Sequence, residues 1–187
     1  MNITAKQREE IDLATRLLAA LGLAGAIPES SDRPDVIVHI DGVRTGIEVT
    51  LFHADEHEGA KGSSLRATEE RLARQSPGQS YPMWGAPNPN AGLIARITDK
   101  IATAAVYDAT TYGHLWLLIS TGIPKLGAVG STFAFPAFVD IDELNRSTHE
   151  SLCSSSLSAV YVHMLLPPAL FCWSRERKWH AVTLSGS

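Results

Sequence analysis

Apolar residues recur at three- and four-residue spacing in two stretches of the chain. Ile11, Ala14, Leu17, Leu18 and Leu21 fall on one stripe and predict an amphipathic helix over residues 5–22, stopped by the segment LGLAGAIPES. Ile94, Ile97, Ile101, Ala104 and Ala105 do the same for a helix over 91–109. A different pattern lies between them. PDVIVHI and VRTGIEVTLF are β-rich runs on either side of Asp41-Gly42, a dipeptide suited to a tight hairpin turn. HLWLLIS, at 114–120, is apolar without alternation, as a strand covered on both faces must be. Further strands are predicted near 24–28 and at 159–165, 169–174 and 179–184. Helices are predicted at 64–75 and about 140–152. Residues 53–62 read as a polar loop, 76–90 as a loop punctuated by Pro77, Pro82, Pro87 and Pro89, and 121–137 as a Gly/Pro-rich connection.

Helices alternating with strands predict an α/β fold with a central mixed sheet flanked by helices. No repeat or linker divides the 187 residues, so residues 1–187 are read as one domain. Hydrophobic content of 44% fits a globular chain, and no apolar run is long enough to span a bilayer. The polar start MNITAKQREE lacks a secretory h-region, and Cys153 and Cys172 form no CxxC pair. Both points favour a cytoplasmic protein with free thiols. A net charge of −4 exerts no global pull on nucleic acid, which leaves room only for a local basic groove. Arg66, Arg71 and Arg74 cluster in one segment, and Arg175, Arg177 and Lys178 in another. Both clusters read first as solvated faces or turns.

The hairpin register carries the chemistry. With Asp41-Gly42 as a two-residue turn, Ile40 pairs with Val43 and Asp35 falls opposite Glu48, their Cβ atoms about 5 Å apart. Thr50 lies one step beyond on the same face. The opposite face carries Val36, Val38, Ile40, Val43, Ile47, Val49 and Leu51, and is the core side. Two facing carboxylates repel, and solvent, a shared proton or a cation relieves them. The pair therefore reads either as simple exposure at a sheet end or as a cation site. Glu10 adds a third carboxylate inside the apolar stripe of the first helix, where it is either frayed into water or paired. Hard oxygen donors of this kind select Mg²⁺ or Mn²⁺ over zinc.

An acidic helix, then Pro34-Asp35 opening a strand, then Gly46-Ile47-Glu48-Val49-Thr50, a long helix and the strand LWLLI together resemble the PD-(D/E)xK nuclease superfamily. The resemblance covers about residues 5–120 and implies a restriction-endonuclease-like αβββαβ core, with 121–187 as an extension of extra strands. It implies that Asp35, Glu48 and the Val49 carbonyl ligate the metal, that Glu10 is the accessory acid, and that the activity is metal-dependent phosphodiester hydrolysis of DNA or RNA. Where the family carries a lysine, this chain has Thr50, whose hydroxyl can bond water or phosphate but brings no charge. In some members a lysine on the following helix takes that role. Here it is Lys100, on the same flank as Arg96 and Tyr107; its other reading is a stem packed on the core with its amine in water. Arg96, Arg66 and Trp84 are then the side chains offered to a nucleic acid substrate, although Trp84 reads first as an anchor of its loop on the domain surface.

Two rival functions stand beside this one. One is a catalytically degenerate member that binds nucleic acid or protein. The other is a small protein of a defence or toxin-immunity system. The apolar strands AVYVHML and ALFCW either complete the sheet or offer a homodimer surface. His53 and His57 have zinc-like spacing only on a helix, and their acidic surroundings read as a solvated loop. No HExxH, GxSxG, GxGxxG or Walker loop occurs.

Overall fold

A computed structural model gives the fold, and the structure describes residues 3–52, 89–107, 111–120, 139–165 and 168–183. The helix α1 spans Ala5–Ala20. The Thr4 hydroxyl accepts from the Gln7 amide at 3.2 Å, and the Gln7 side chain accepts from the Thr4 amide at 2.9 Å, so two otherwise orphaned donors are satisfied at its start. Gly22, at φ 76°, ends it, with the Leu23 amide returning to the Leu18 carbonyl at 2.7 Å.

Three strands follow: β1 (Glu29–Ser30), β2 (Val36–Ile40) and β3 (Val43–Leu51), each antiparallel to the next. The short edge strand β1 sits at 29–30, beyond the expected 24–28. The residues around 24–28 are small and apolar, but it is Glu29 and Ser30 that meet β2, opposite Ile37 and Val36. The helix α2 runs over Pro89–Ala104. It begins within the stretch expected to be loop, because proline is well suited to a first helical turn. It ends at Ala104, short of the expected 109, with Ala105 exposed and Leu93 buried in its place on the apolar stripe. Then come β4 (His114–Ser120), α3 (Ile141–Cys153), β5 (Ala159–Leu165), β6 (Pro168–Ser174) and β7 (Lys178–Val182).

The protein is thus an α/β domain with a seven-stranded mixed sheet in the order β1 to β7 and, among the described residues, three helices. The strands β3, β4 and β5 are parallel and central; the pairs outside them are antiparallel. The C-terminal strands complete the sheet. On one face α1 packs Leu13, Ala14, Leu17 and Leu18 onto Val36, Val38, Ile47, Val49 and Leu118. On the other, α2 and α3 pack Leu93, Ile97, Leu144 and Leu152 onto Leu115, Leu117, Ile119, Val160 and Trp173. β4 is therefore covered on both sides, which is why HLWLLIS does not alternate; each of its fully buried leucines contributes roughly 2 kcal/mol. No helix of the described residues is long and apolar enough to cross a membrane.

Candidate functional site

The site begins with the hairpin turn. Asp41 and Gly42 both adopt positive φ, 51° and 79°, the geometry that matches the twist of the flanking strands. That turn sets Ile40 against Val43 and Val36 against Ile47. A two-residue turn also makes Ile40 and Val43 exchange backbone hydrogen bonds, so alternate residues of β3, Val43 to Val49, direct N–H and C=O toward β2. Continued one step past Val36 and Ile47, the register sets Asp35 beside Glu48. The ladder itself ends at Val36 and Ile47, and Pro34 leaves it to lie on Gly46. Instead the Val49 amide donates to Asp35 Oδ2 at 2.9 Å. The ladder's alternation turns the Val49 carbonyl toward the same edge.

The segment leading to Asp35 is held from several directions. The Tyr112 hydroxyl donates to the Arg33 carbonyl at 3.0 Å, and the Ser31 amide to the Asp35 carbonyl at 2.8 Å. The Pro34 ring lies on Gly46, where a β-carbon would come within 2.5 Å of it. The Arg44 guanidinium stacks over the Tyr112 ring at 4.9 Å from its centroid.

Glu48 points to the α2 side of the sheet and is almost fully buried. Lys100, from α2, donates to its Oε1 at 2.8 Å. The hydroxyl of Tyr107, in the turn after α2, donates to its Oε2. Burial, and then the bond to Glu48, push the Tyr107 phenol up from its ordinary value, so it remains a donor. Glu10, buried on α1, pairs with Lys6 at 2.9 Å, and the same ammonium lies 3.9 Å from Asp35 Oδ1. The bond to Glu10 raises the Lys6 amine, which stays charged.

Asp35 carries the most perturbed carboxyl of the group. Burial pushes it up to about 6, with repulsion from Glu48 and Glu10 adding to the rise and the Val49 amide opposing it. Three carboxylates and two ammonium groups share this end of the sheet, an excess of one negative charge when all are ionised.

Of the residues singled out in the sequence, the structure brings together Asp35, Glu48, Lys100, Glu10 and the backbone of Val49. The two key carboxylates are neighbours at the end of the hairpin rather than a laddered cross-strand pair, because Asp35 precedes β2 and bonds the Val49 amide. Thr50 pairs in register with Ile119 and is half-buried. Arg96 lies one turn ahead of Lys100 on α2, also half-buried. Arg66, Trp84 and the His53–Glu58 stretch lie outside the described residues. Arg175 and Arg177 are in the exposed turn between β6 and β7. Lys6 and the hydrogen bond of Tyr107 had not been read from the sequence. Their only local signals are that Lys6 stands four residues before Glu10, and Tyr107 two helical turns beyond Lys100.

No three His, Cys, Asp or Glu side chains among the described residues form a metal-holding group by themselves. No family model matches the chain, and neither a curated protein nor a solved structure matches it.

Proposed function

We propose that this chain is a Mg²⁺- or Mn²⁺-dependent phosphodiesterase acting on DNA or RNA, a PD-(D/E)xK-type nuclease in which Lys100 takes the part of the motif lysine. One observation carries the reading. The Lys100 ammonium, arriving from the helix after β3, meets Glu48 at 2.8 Å beside Asp35, although position 50 holds threonine. The order α1, β1, β2, β3, α2, β4, with an antiparallel hairpin and β4 parallel to β3, supports a restriction-endonuclease-like core.

The donor set suits such an ion. Mg²⁺ and Mn²⁺ take one or two protein carboxylates and fill the remaining positions with water and substrate oxygens. Asp35, Glu48 and the Val49 carbonyl would hold the ion, and the Asp35 carboxyl is raised first by burial, with repulsion from Glu48 and Glu10 adding to it. Bound there, the ion supplies Lewis acidity to the phosphate and a more acidic water. The protein's own groups do the rest. The Val49 amide fixes the Asp35 carboxylate, and Tyr107 orients Glu48. Lys100 brings positive charge to the phosphate as the water oxygen bonds to phosphorus and the P–O bond to the leaving oxygen breaks. The Thr50 hydroxyl, on the Glu48 face of β3, is placed to orient the water or a phosphate oxygen.

The test is cleavage of single- and double-stranded DNA and RNA with Mn²⁺, comparing the wild type with Asp35→Ala. The reading requires cleavage that the variant loses; equal rates would sink it. A second reading, a catalytically degenerate nucleic-acid or protein binding module, is favoured by the occupation of both Glu48 oxygens by Lys100 and Tyr107. It requires partner binding with no cleavage at all.

A further inference from the structure

Lys6 is placed unlike an ordinary surface lysine. Its side chain is 78% exposed, yet its ammonium lies 2.9 Å from a Glu10 carboxylate whose side chain is only 9% exposed. Local helix energetics alone do not explain the pairing. A lysine four residues ahead of a glutamate is the weaker order for a helical ion pair. Holding a long lysine chain in one place also costs rotamer entropy. The bond to Glu10 is the strongest hold on this amine, and the tertiary fold adds to it. Asp35 and Glu48, both from the hairpin, add their fields to that of Glu10 at this ammonium.

The atoms Lys6 approaches are equally specific. Asp35 Oδ2 is taken by the Val49 amide. Oδ1 is the oxygen left, and it is the one 3.9 Å from the Lys6 ammonium. Lys100 donates to Glu48 instead, at 2.8 Å.

We infer that Lys6 is a built-in counter-ion of this site, seated on Glu10 and facing Asp35 in the ion-free protein, and displaced from Asp35 when a divalent cation takes Asp35 and Glu48. The inference rests on the metal-dependent reading above. It adds that Lys6 offsets part of the site's negative charge without its ion, and that cation binding must overcome one lysine. A divalent ion at Asp35 repels the ammonium 3.9 Å from Oδ1, so cation entry favours lysine departure.

Calorimetric titration of the full chain with Mn²⁺ tests this, using wild type, Lys6→Gln, Arg8→Gln and Asp35→Asn. Arg8 is exposed on the same helix, so its substitution removes the same formal charge elsewhere on the surface. Lys6→Gln is expected to bind Mn²⁺ about three- to tenfold tighter, the scale of one unit charge roughly 4 Å away in a well-solvated site. Arg8→Gln is expected to stay within about twofold of wild type, its charge being more distant and screened. Asp35→Asn is expected to lose binding. Wild-type or weaker affinity in Lys6→Gln, with binding still lost in Asp35→Asn, overturns the counter-ion and leaves the metal site standing. Tightening of equal size in Arg8→Gln also overturns it, because net charge would then account for the effect. No heat from any of the four proteins at millimolar Mn²⁺ overturns both the counter-ion and the site.

Discussion

The Pro34 ring rests directly on Gly46, so closely that a β-carbon on Gly46 would fall 2.5 Å from Pro34 Cγ. Tyr112 and Leu115 close the same space at 3.2 and 3.3 Å. This contact lets the chain drop onto β3 one residue before Asp35, and so brings the carboxylate within reach of the Val49 amide. The glycine two residues ahead of Glu48 is therefore required by tertiary packing, not by an unusual backbone angle.

Gly46→Ala should push Pro34 off the sheet and carry Asp35 with it. The expected cost is about 1–3 kcal/mol, the range for forcing a methyl group into a filled space. Thermal unfolding measures the loss of stability. A parallel Mn²⁺ titration should show weakened binding, whereas a substitution that only loosened the fold elsewhere would leave affinity intact.

Removing the amine of Lys100 leaves Glu48 buried without its cation. Lys100→Met keeps the stem that packs beside the core and is expected to destabilise the protein by about 2–3 kcal/mol, below the usual cost of breaking a fully buried pair because 21% of the lysine side chain is exposed. Glu48→Gln in the same chain should recover part of that loss. A double-mutant cycle on urea midpoints is expected to give a coupling of about 1–2 kcal/mol. A coupling near zero would mean that the pair is not formed in solution. Cleavage should be lost in both single variants.

Asp35 predicts a pH dependence with a definite sign. Its carboxyl titrates near 6 in the folded protein against 3.8 ordinarily, so between these values the folded state holds more protons than the unfolded one. Stability from this group is full below about pH 4, declines as pH rises toward 6, and stays reduced above it. Asp35→Asn can still accept from the Val49 amide and does not ionise. It should be more stable than wild type at pH 7 by about 1–2 kcal/mol, the roughly two-unit rise being discounted for the water that reaches the group. The two proteins should converge near pH 3. Urea midpoints between pH 3 and 8 test this; a variant no more stable than wild type at neutral pH would show that Asp35 carries no such penalty. Paired with loss of Mn²⁺ binding, a gain in stability would mark a residue kept for function at a cost to the fold.

Local chemistry determined much of this protein. Thr4 and Gln7 start α1 and Gly22 ends it. Asp41-Gly42 makes a turn that sets the register of the hairpin from Ile40–Val43 to Val36–Ile47. The unbroken apolar run of β4 announced a strand covered on both faces. These features depend on residues a few positions apart, and periodicity and turn preference act at that range. Only the tertiary structure decided the rest. The strand β1 exists because Glu29 and Ser30 find the edge of β2, which their own propensities do not favour. Lys100, Arg96 and Tyr107 share one flank of the α2 segment, and the sequence could not say which of them reaches a carboxylate. How α2 lies across the sheet gives Glu48 to Lys100 and Tyr107. Lys6 looks like any exposed lysine until the hairpin brings Asp35 beside Glu10. Charges act through space rather than along the chain, so the composition of the site was legible in part, while its pairing waited on the fold.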